Sequence, residues 1–165
     1  MFFIEGCGMR AIVTSLLTVS MCLASMPLQA AEPAAACPVL TQAQLGAATG
    51  VAIGAGSPIG LATSCQWSGE GKMVTLVIRR PLANRSPVDQ FNRAKSQNLP
   101  GITVEPVSGV GDDAFYVFYG GTNRAGCGLV VKKGSSAFEI RVYGFDIAQA
   151  KGVTKKLAID AAGKF

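Results

Sequence analysis

Two stretches of this chain alternate apolar and polar residues with period two. In Met73 to Arg80, Val74, Leu76 and Ile78 share one face; in Ala137 to Tyr143, Phe138, Ile140 and Val142 do so. A strand buried on one side satisfies that pattern, and a helix does not. Each stretch follows another strand-like run across a short turn: Ser64 to Ser68 before Gly69-Glu70-Gly71, and Gly128 to Lys132 before Gly134-Ser135. Ile102 to Val107 and Ala114 to Tyr119 add two more strands, and Val51 to Gly60 reads as a short strand followed by a loose loop. Strands joined by turns this short pair antiparallel.

Three helices punctuate the strands. Thr41 and Gln44 form a capping box, flanked by Leu40 and Leu45 as a hydrophobic staple, and Gly50 stops that helix. A second helix starts at Ser86 with Pro87 in the first helical position. Its apolar stripe is Val88, Phe91, Ala94 and Leu99, and Pro100-Gly101 ends it. The last opens with Asp146 and Gln149 as a capping box and aligns Ile147, Ala150, Leu157 and Ala161. The expected class is α+β: a largely antiparallel sheet with the helices packed on one face. Its order is two tandem strand-strand-strand-helix halves preceded by one helix, without a residue-by-residue repeat.

The N-terminus has the layout of a cleavable export signal. Met9-Arg10 is a short positive start, Ala11 to Met26 an uncharged apolar run, and Pro27 to Ala31 a stretch with small residues for cleavage after Ala30. The apolar run is short for a membrane span. Glu5 sits badly in a signal, which raises Met9 as an alternative initiator. The expected organisation is therefore a signal at 1–30, a mobile leader at 31–36 and a single domain at 37–165. No transmembrane segment is expected after cleavage, and the expected location is periplasmic or secreted. A rival reading takes Ala34-Ala35-Ala36-Cys37 as a lipoprotein box with Cys37 lipidated, although Pro27, Glu32 and Pro33 separate Cys37 from the apolar run.

Export also frames the cysteines. Cys7 and Cys22 leave with the signal, and Cys37, Cys65 and Cys127 remain. Two of the three should pair in an oxidising space. Cys37 with Cys65 is the favoured pair and Cys65 with Cys127 the competitor; the remaining thiol reads as a small buried hydrophobe.

The chain has no histidine. That excludes Ser-His-Asp and Cys-His catalysis and removes the commonest metal ligand. The net charge of +5 is carried by scattered pairs, Arg79-Arg80, Lys132-Lys133 and Lys155-Lys156, without interleaved aromatics. With export, this makes nucleic acid an unexpected partner. Gly54 to Gly60 fails as a nucleotide loop because its third glycine is one position late and Pro58 leaves no room for a helix. Asp112-Asp113 reads as turn chemistry rather than a metal site. No catalytic residue, metal or cofactor is expected.

The sheet face away from the helices is the candidate surface. Alternation places on it Thr75, Val77, Arg79, Arg141 and Tyr143, with some of Tyr116, Phe118 and Tyr119. Arginines among aromatics are common binding anchors. Arg79, Arg141, Tyr143, Tyr119 and Arg124, the last in the Gly120 to Gly126 loop, are the candidate binding residues.

The landmarks Cys37-Pro38-Val39-Leu40-Thr41, Leu45-Gly46, Cys65-Gln66-Trp67, Gly109 to Ala114 (GVGDDA), Leu129 to Gly134 (LVVKKG) and Leu157-Ala158 resemble those of small exported bacterial domains of unknown function, best represented among secreted lipoproteins of actinobacteria. The resemblance implies the α+β fold, an extracytoplasmic compartment and the Cys37–Cys65 pairing, and it carries over no catalytic residue. Cys127, the long Tyr119 to Gly126 loop and the poor lipoprotein box depart from it.

The resulting expectation is a monomeric, non-enzymatic binding module for an envelope protein or an anionic envelope component. The alternative is a proteinaceous inhibitor of an envelope or foreign hydrolase such as lysozyme or β-lactamase. An enzyme would have to rest on the free thiol or on Asp112 and Asp113.

Overall fold

The computed structural model describes residues 36–60, 63–97, 99–100, 102–119 and 126–165. The signal at 1–30, most of the leader and Arg124 lie outside the described residues; Ala36, the leader's last residue, is buried. A 3-10 turn at Cys37–Val39 precedes α1 (Gln42–Thr49), β1 (Ser57–Ile59), β2 (Ser64–Gly69), β3 (Lys72–Ile78) and α2 (Pro87–Lys95). Then follow β4 (Ile102–Val107), β5 (Asp113–Tyr119), β6 (Gly126–Lys133), β7 (Ser136–Tyr143) and α3 (Ile147–Ala162). The fold is α+β.

Among the described residues seven strands join one open sheet in the order β1-β2-β3-β7-β6-β5-β4, and each of these pairings is antiparallel. Two meanders, β1 to β3 and β4 to β7, meet where β3 pairs with β7, which sets β7 at the centre. Both edge strands contain a proline, Pro58 in β1 and Pro106 in β4. Proline cannot donate to a strand ladder, so each edge is blunted against further pairing.

The helices take both faces, which corrects the expectation that they share one. α1 and α3 cover the face of Val74, Leu76, Leu129, Val131, Phe138, Ile140 and Val142, burying Leu45, Leu157 and Ala158 there. α2 lies on the opposite face, where Phe91 and Ala94 meet Phe115, Val117, Val130 and Ala137. The cause is topological: β3 sits beside the sheet centre and β4 at the far edge, so their connection must cross the sheet. It crosses on the side that α1 and α3 leave open. The first half supplies three strands and the second four, with their helices on opposite faces, so the halves are not repeated packing units.

Local signals hold at most helix ends. Thr41–Gln44 and Ser86–Asp89 are both reciprocal capping boxes, and Gly50 closes α1 with φ +73°. Asp146 accepts from the Gln149 amide at the start of α3, but the Gln149 side chain does not return the bond, so the capping box expected there is only half formed. Three expectations shift. The strand expected within Val51 to Gly60 forms at Ser57–Ile59; α2 ends at Lys95, leaving Leu99 exposed; and Ile147 is exposed rather than on α3's buried face. The disulfide joins Cys37 to Cys65, tying the 3-10 turn to β2. Closing a loop of 28 residues contributes about 3.5 kcal/mol on a chain-entropy basis. Among the described residues no helix is long and apolar enough to cross a membrane.

Candidate functional site

The α2 face of the sheet is organised by Glu139, a central-strand residue that is fully buried. Its carboxylate accepts from three side chains. The Arg79 guanidinium donates at 2.8 Å, the Arg141 guanidinium donates through Nε and through Nη2 (the latter at 2.9 Å), and the Tyr119 hydroxyl donates to Oε1. Burial raises the Glu139 pKa, but the hydrogen bonds and charge of Arg141, the Tyr119 hydrogen bond and the charge of Arg79 outweigh it, so the net shift is downward. Burial and the neighbouring carboxylate hold Tyr119 protonated, and its hydrogen bonds to Glu139 raise Arg141 further.

Strand register explains how four residues from three strands converge. Glu139 and Arg141 are two apart on β7 and so share a face. Arg79 continues the β3 ladder past its end, its amide donating to the Ala137 carbonyl at 2.8 Å, which sets it diagonal to Glu139. Tyr119 comes from β5, on the far side of β6, and reaches Glu139 over Gly128. A Cβ at Gly128 would lie 2.9 Å from Glu139 Oε1 and 3.3 Å from the Tyr119 ring, so the absent side chain is the passage. The Arg141 guanidinium lies over the Tyr119 ring, 5.1 Å from its centroid.

α2 turns this surface into a groove. Phe91 anchors it against Phe115 at a centroid distance of 5.1 Å, and Lys95 pairs with Asp113 at 2.7 Å. A pocket of about 200 Å³ lies between Ala94 and Gln97 on one side and Val117, Val130 and Ile102 on the other, with Arg79, Glu139, Arg141 and Tyr119 on its floor. A second pocket of about 250 Å³ shares Arg79, Ala94 and Gln97 with it and adds Arg85, Gln90 and Arg93. The Leu82–Arg85 bridge and the Gln90 side chain, which donates to the Arg80 carbonyl at 2.7 Å, hold the loop that carries Arg85. Four arginines and the Glu139 carboxylate thus line two adjoining pockets that share Arg79, Ala94 and Gln97.

Of the candidate binding residues, Arg79, Arg141 and Tyr119 converge. Tyr143 shares their face, but its ring lies against Gly126, where a Cβ would sit 2.4 Å from it. Tyr116 and Phe118 occupy the other face: the Tyr116 hydroxyl donates to the Lys151 carbonyl at 3.0 Å, and Phe118 packs on the α3-side core. Thr75 is on the candidate face but buried, and Val77 is half-buried there. The sequence reading assigned no role to Glu139, Gly128, Arg85 or Arg93. The available signal for Glu139 was an acid on the polar face of an alternating strand, two residues before an arginine on the same face.

The other reactive groups are engaged elsewhere. Cys127 is free and fully buried, and burial pushes its thiol up to about 11. It is a core atom rather than a nucleophile. Asp112 accepts from the Gly134 amide and the Lys133 ammonium, which hold it below its usual range, while Asp113 pairs with Lys95. The two adjacent carboxylates thus have separate cationic partners.

Comparison of the chain with protein-family models, with curated proteins and with solved structures found no match.

Proposed function

We propose that this chain is an exported, non-catalytic binding module that takes an anionic group of an envelope component in the groove beneath α2. The observation that carries the reading is the buried Glu139 carboxylate. It fixes Arg79 and Arg141 in place while each guanidinium keeps N–H groups that Glu139 does not use. Arginines held this way lose little side-chain freedom when a carboxylate or phosphate arrives, which favours recognition over a mobile charged surface. Arg85 and Arg93 extend the positive potential along the groove. The Cys37–Cys65 disulfide and the signal-like N-terminus support a periplasmic or secreted setting. The resemblance to exported actinobacterial domains points the same way.

The test is native mass spectrometry of the protein purified from its own envelope fraction, beside an Arg85→Gln/Arg93→Gln variant. Both positions are exposed and stand outside the Glu139 network, so the fold is untouched. The expected result is a copurified anionic glycan, polymer or lipid that dissociates as salt is raised and is lost from the variant. A variant that keeps the adduct would overturn the assignment. So would stoichiometric inhibition of lysozyme or β-lactamase that ignores both arginines.

A further inference from the structure

The opposite side of the molecule carries a cleft that the arginine groove does not touch. It lies between the C-terminal end of α1 and α3, has a volume of about 570 Å³, and is lined by Val51, Val153 and Phe145 with Lys72 and Lys156 among its polar residues. Both lysines are held by the backbone: the Lys156 ammonium donates to the Ala47 carbonyl at 2.7 Å, and the Lys72 ammonium donates to the Gly144 carbonyl and stands 4.5 Å from the Phe145 ring centroid. Each ammonium has three donors, so one bond leaves others for a ligand. No carboxylate is among the described lining residues, so the cleft is apolar with unbalanced positive charge.

Gly152 supplies an independent observation. It lies inside α3, where glycine is destabilising relative to alanine. Packing does not require it, since a Cβ there would meet nothing within 4 Å. Its φ lies outside the left-handed range, so backbone geometry does not require it either. It does line the cleft, and any larger side chain would project into that space. A helix-weakening residue without a structural need, at the wall of a charged apolar cleft, is explained by keeping the cleft open.

We infer that the α1–α3 cleft binds a monomeric anionic amphiphile, a molecule with one carboxylate, phosphate or sulfate head and a short hydrocarbon tail. The tail lies on Val51, Val153 and Phe145, and the head meets the Lys72 and Lys156 ammonium groups. This site stands whether or not the arginine groove binds an envelope anion, because the two share no lining residue.

The test is a titration of the isotope-labelled full chain with sodium decanoate, read by amide chemical shifts, with decanol as the uncharged control. Saturable shifts are expected at Gly50, Val51, Phe145 and Gly152, with decanol at least about tenfold weaker, the loss of one charge-assisted contact. Gly152→Leu should raise the melting temperature and abolish the decanoate shifts, and Lys72→Gln/Lys156→Gln should bring decanoate down to the level of decanol. Equal affinity for decanol, unchanged binding by Gly152→Leu, or shifts confined to the arginine groove would each overturn the site. Gly152-dependent cosedimentation with phosphatidylglycerol vesicles, in place of decanoate binding, would overturn the monomeric ligand in favour of a membrane surface.

Discussion

The Tyr119 hydroxyl donates to the Glu139 carboxylate across the empty side-chain position of Gly128. A phenol on β5 and an acid on β7 are thereby coupled over the strand between them, and the two arginines of the groove floor depend on the same acid. The candidate site is therefore one unit: the positive charges on its floor are positioned by a buried negative charge.

Glu139→Gln should be costly. It leaves two guanidinium groups facing a neutral amide, and breaking a partnered buried charge costs about 3 kcal/mol. Urea unfolding at neutral pH measures the loss, and ligand affinity should fall with it because Arg79 and Arg141 lose their orientation.

The same residue sets a pH signature. The folded-state pKa of Glu139 lies below the ordinary value of 4.5, so its contribution is complete above that value and is lost as pH falls through the folded one. Stability measured from pH 6 downward should decline in the wild type. Glu139→Gln should show a shallower decline, leaving the part owed to the depressed Asp89 and Asp112.

Gly128→Ala tests the passage. The new methyl would sit 2.9 Å from Glu139 Oε1 and 3.3 Å from the Tyr119 ring, so one of them must move. A loss of about 1 to 3 kcal/mol is expected, the usual cost of overpacking. Tyr119→Phe should cost less, about 1 kcal/mol for one hydrogen bond, because it removes the phenol without crowding the carboxylate. A reversed order in thermal unfolding would refute the passage.

Phe91→Ala should separate the groove from the rest of the fold. Phe91 is 1% exposed and is the only fully buried side chain that α2 contributes to its core. Truncation should cost about 3 to 4 kcal/mol. Amide exchange should accelerate in α2 while α1 and α3 keep their protection. Ligand binding at the arginine groove should vanish, with decanoate binding retained.

Thiol titration addresses the cysteines. Cys127 should react with Ellman's reagent only after unfolding, because it is buried and its thiol is pushed up to about 11. Reduction of Cys37–Cys65 should lower stability by about 3.5 kcal/mol and expose two further thiols.

Much of the fold was legible because its signals are local. The capping box at Thr41, the helix start at Ser86-Pro87, the stop at Gly50 and the period-two strands all depend on near neighbours in sequence. The positions of Leu99 and Ile147 were misjudged because periodicity ran past the last helical turn in one case and began too early in the other. The face taken by α2 was not legible at all. Alternation says which residues share a face, but the pairing of β3 with β7 is what forces a crossover, and α1 and α3 on the first face leave it the second. Arg79 and Arg141 were found by type. Their keeper Glu139 was passed over because its partners come from three different strands, a relation that no spacing in the sequence records.

The β3–β7 pairing also sets a timetable. Leu76 finds Ile140 only about 60 residues later in the chain, and both meanders are joined through that one seam. A chain threaded N-terminus first through a membrane translocator would form the β2–β3 hairpin early and then wait, its central strand arriving almost last. Nearly the whole polypeptide must emerge before the sheet closes. Until then no complete sheet exists, so such a chain would still be open while it passed through.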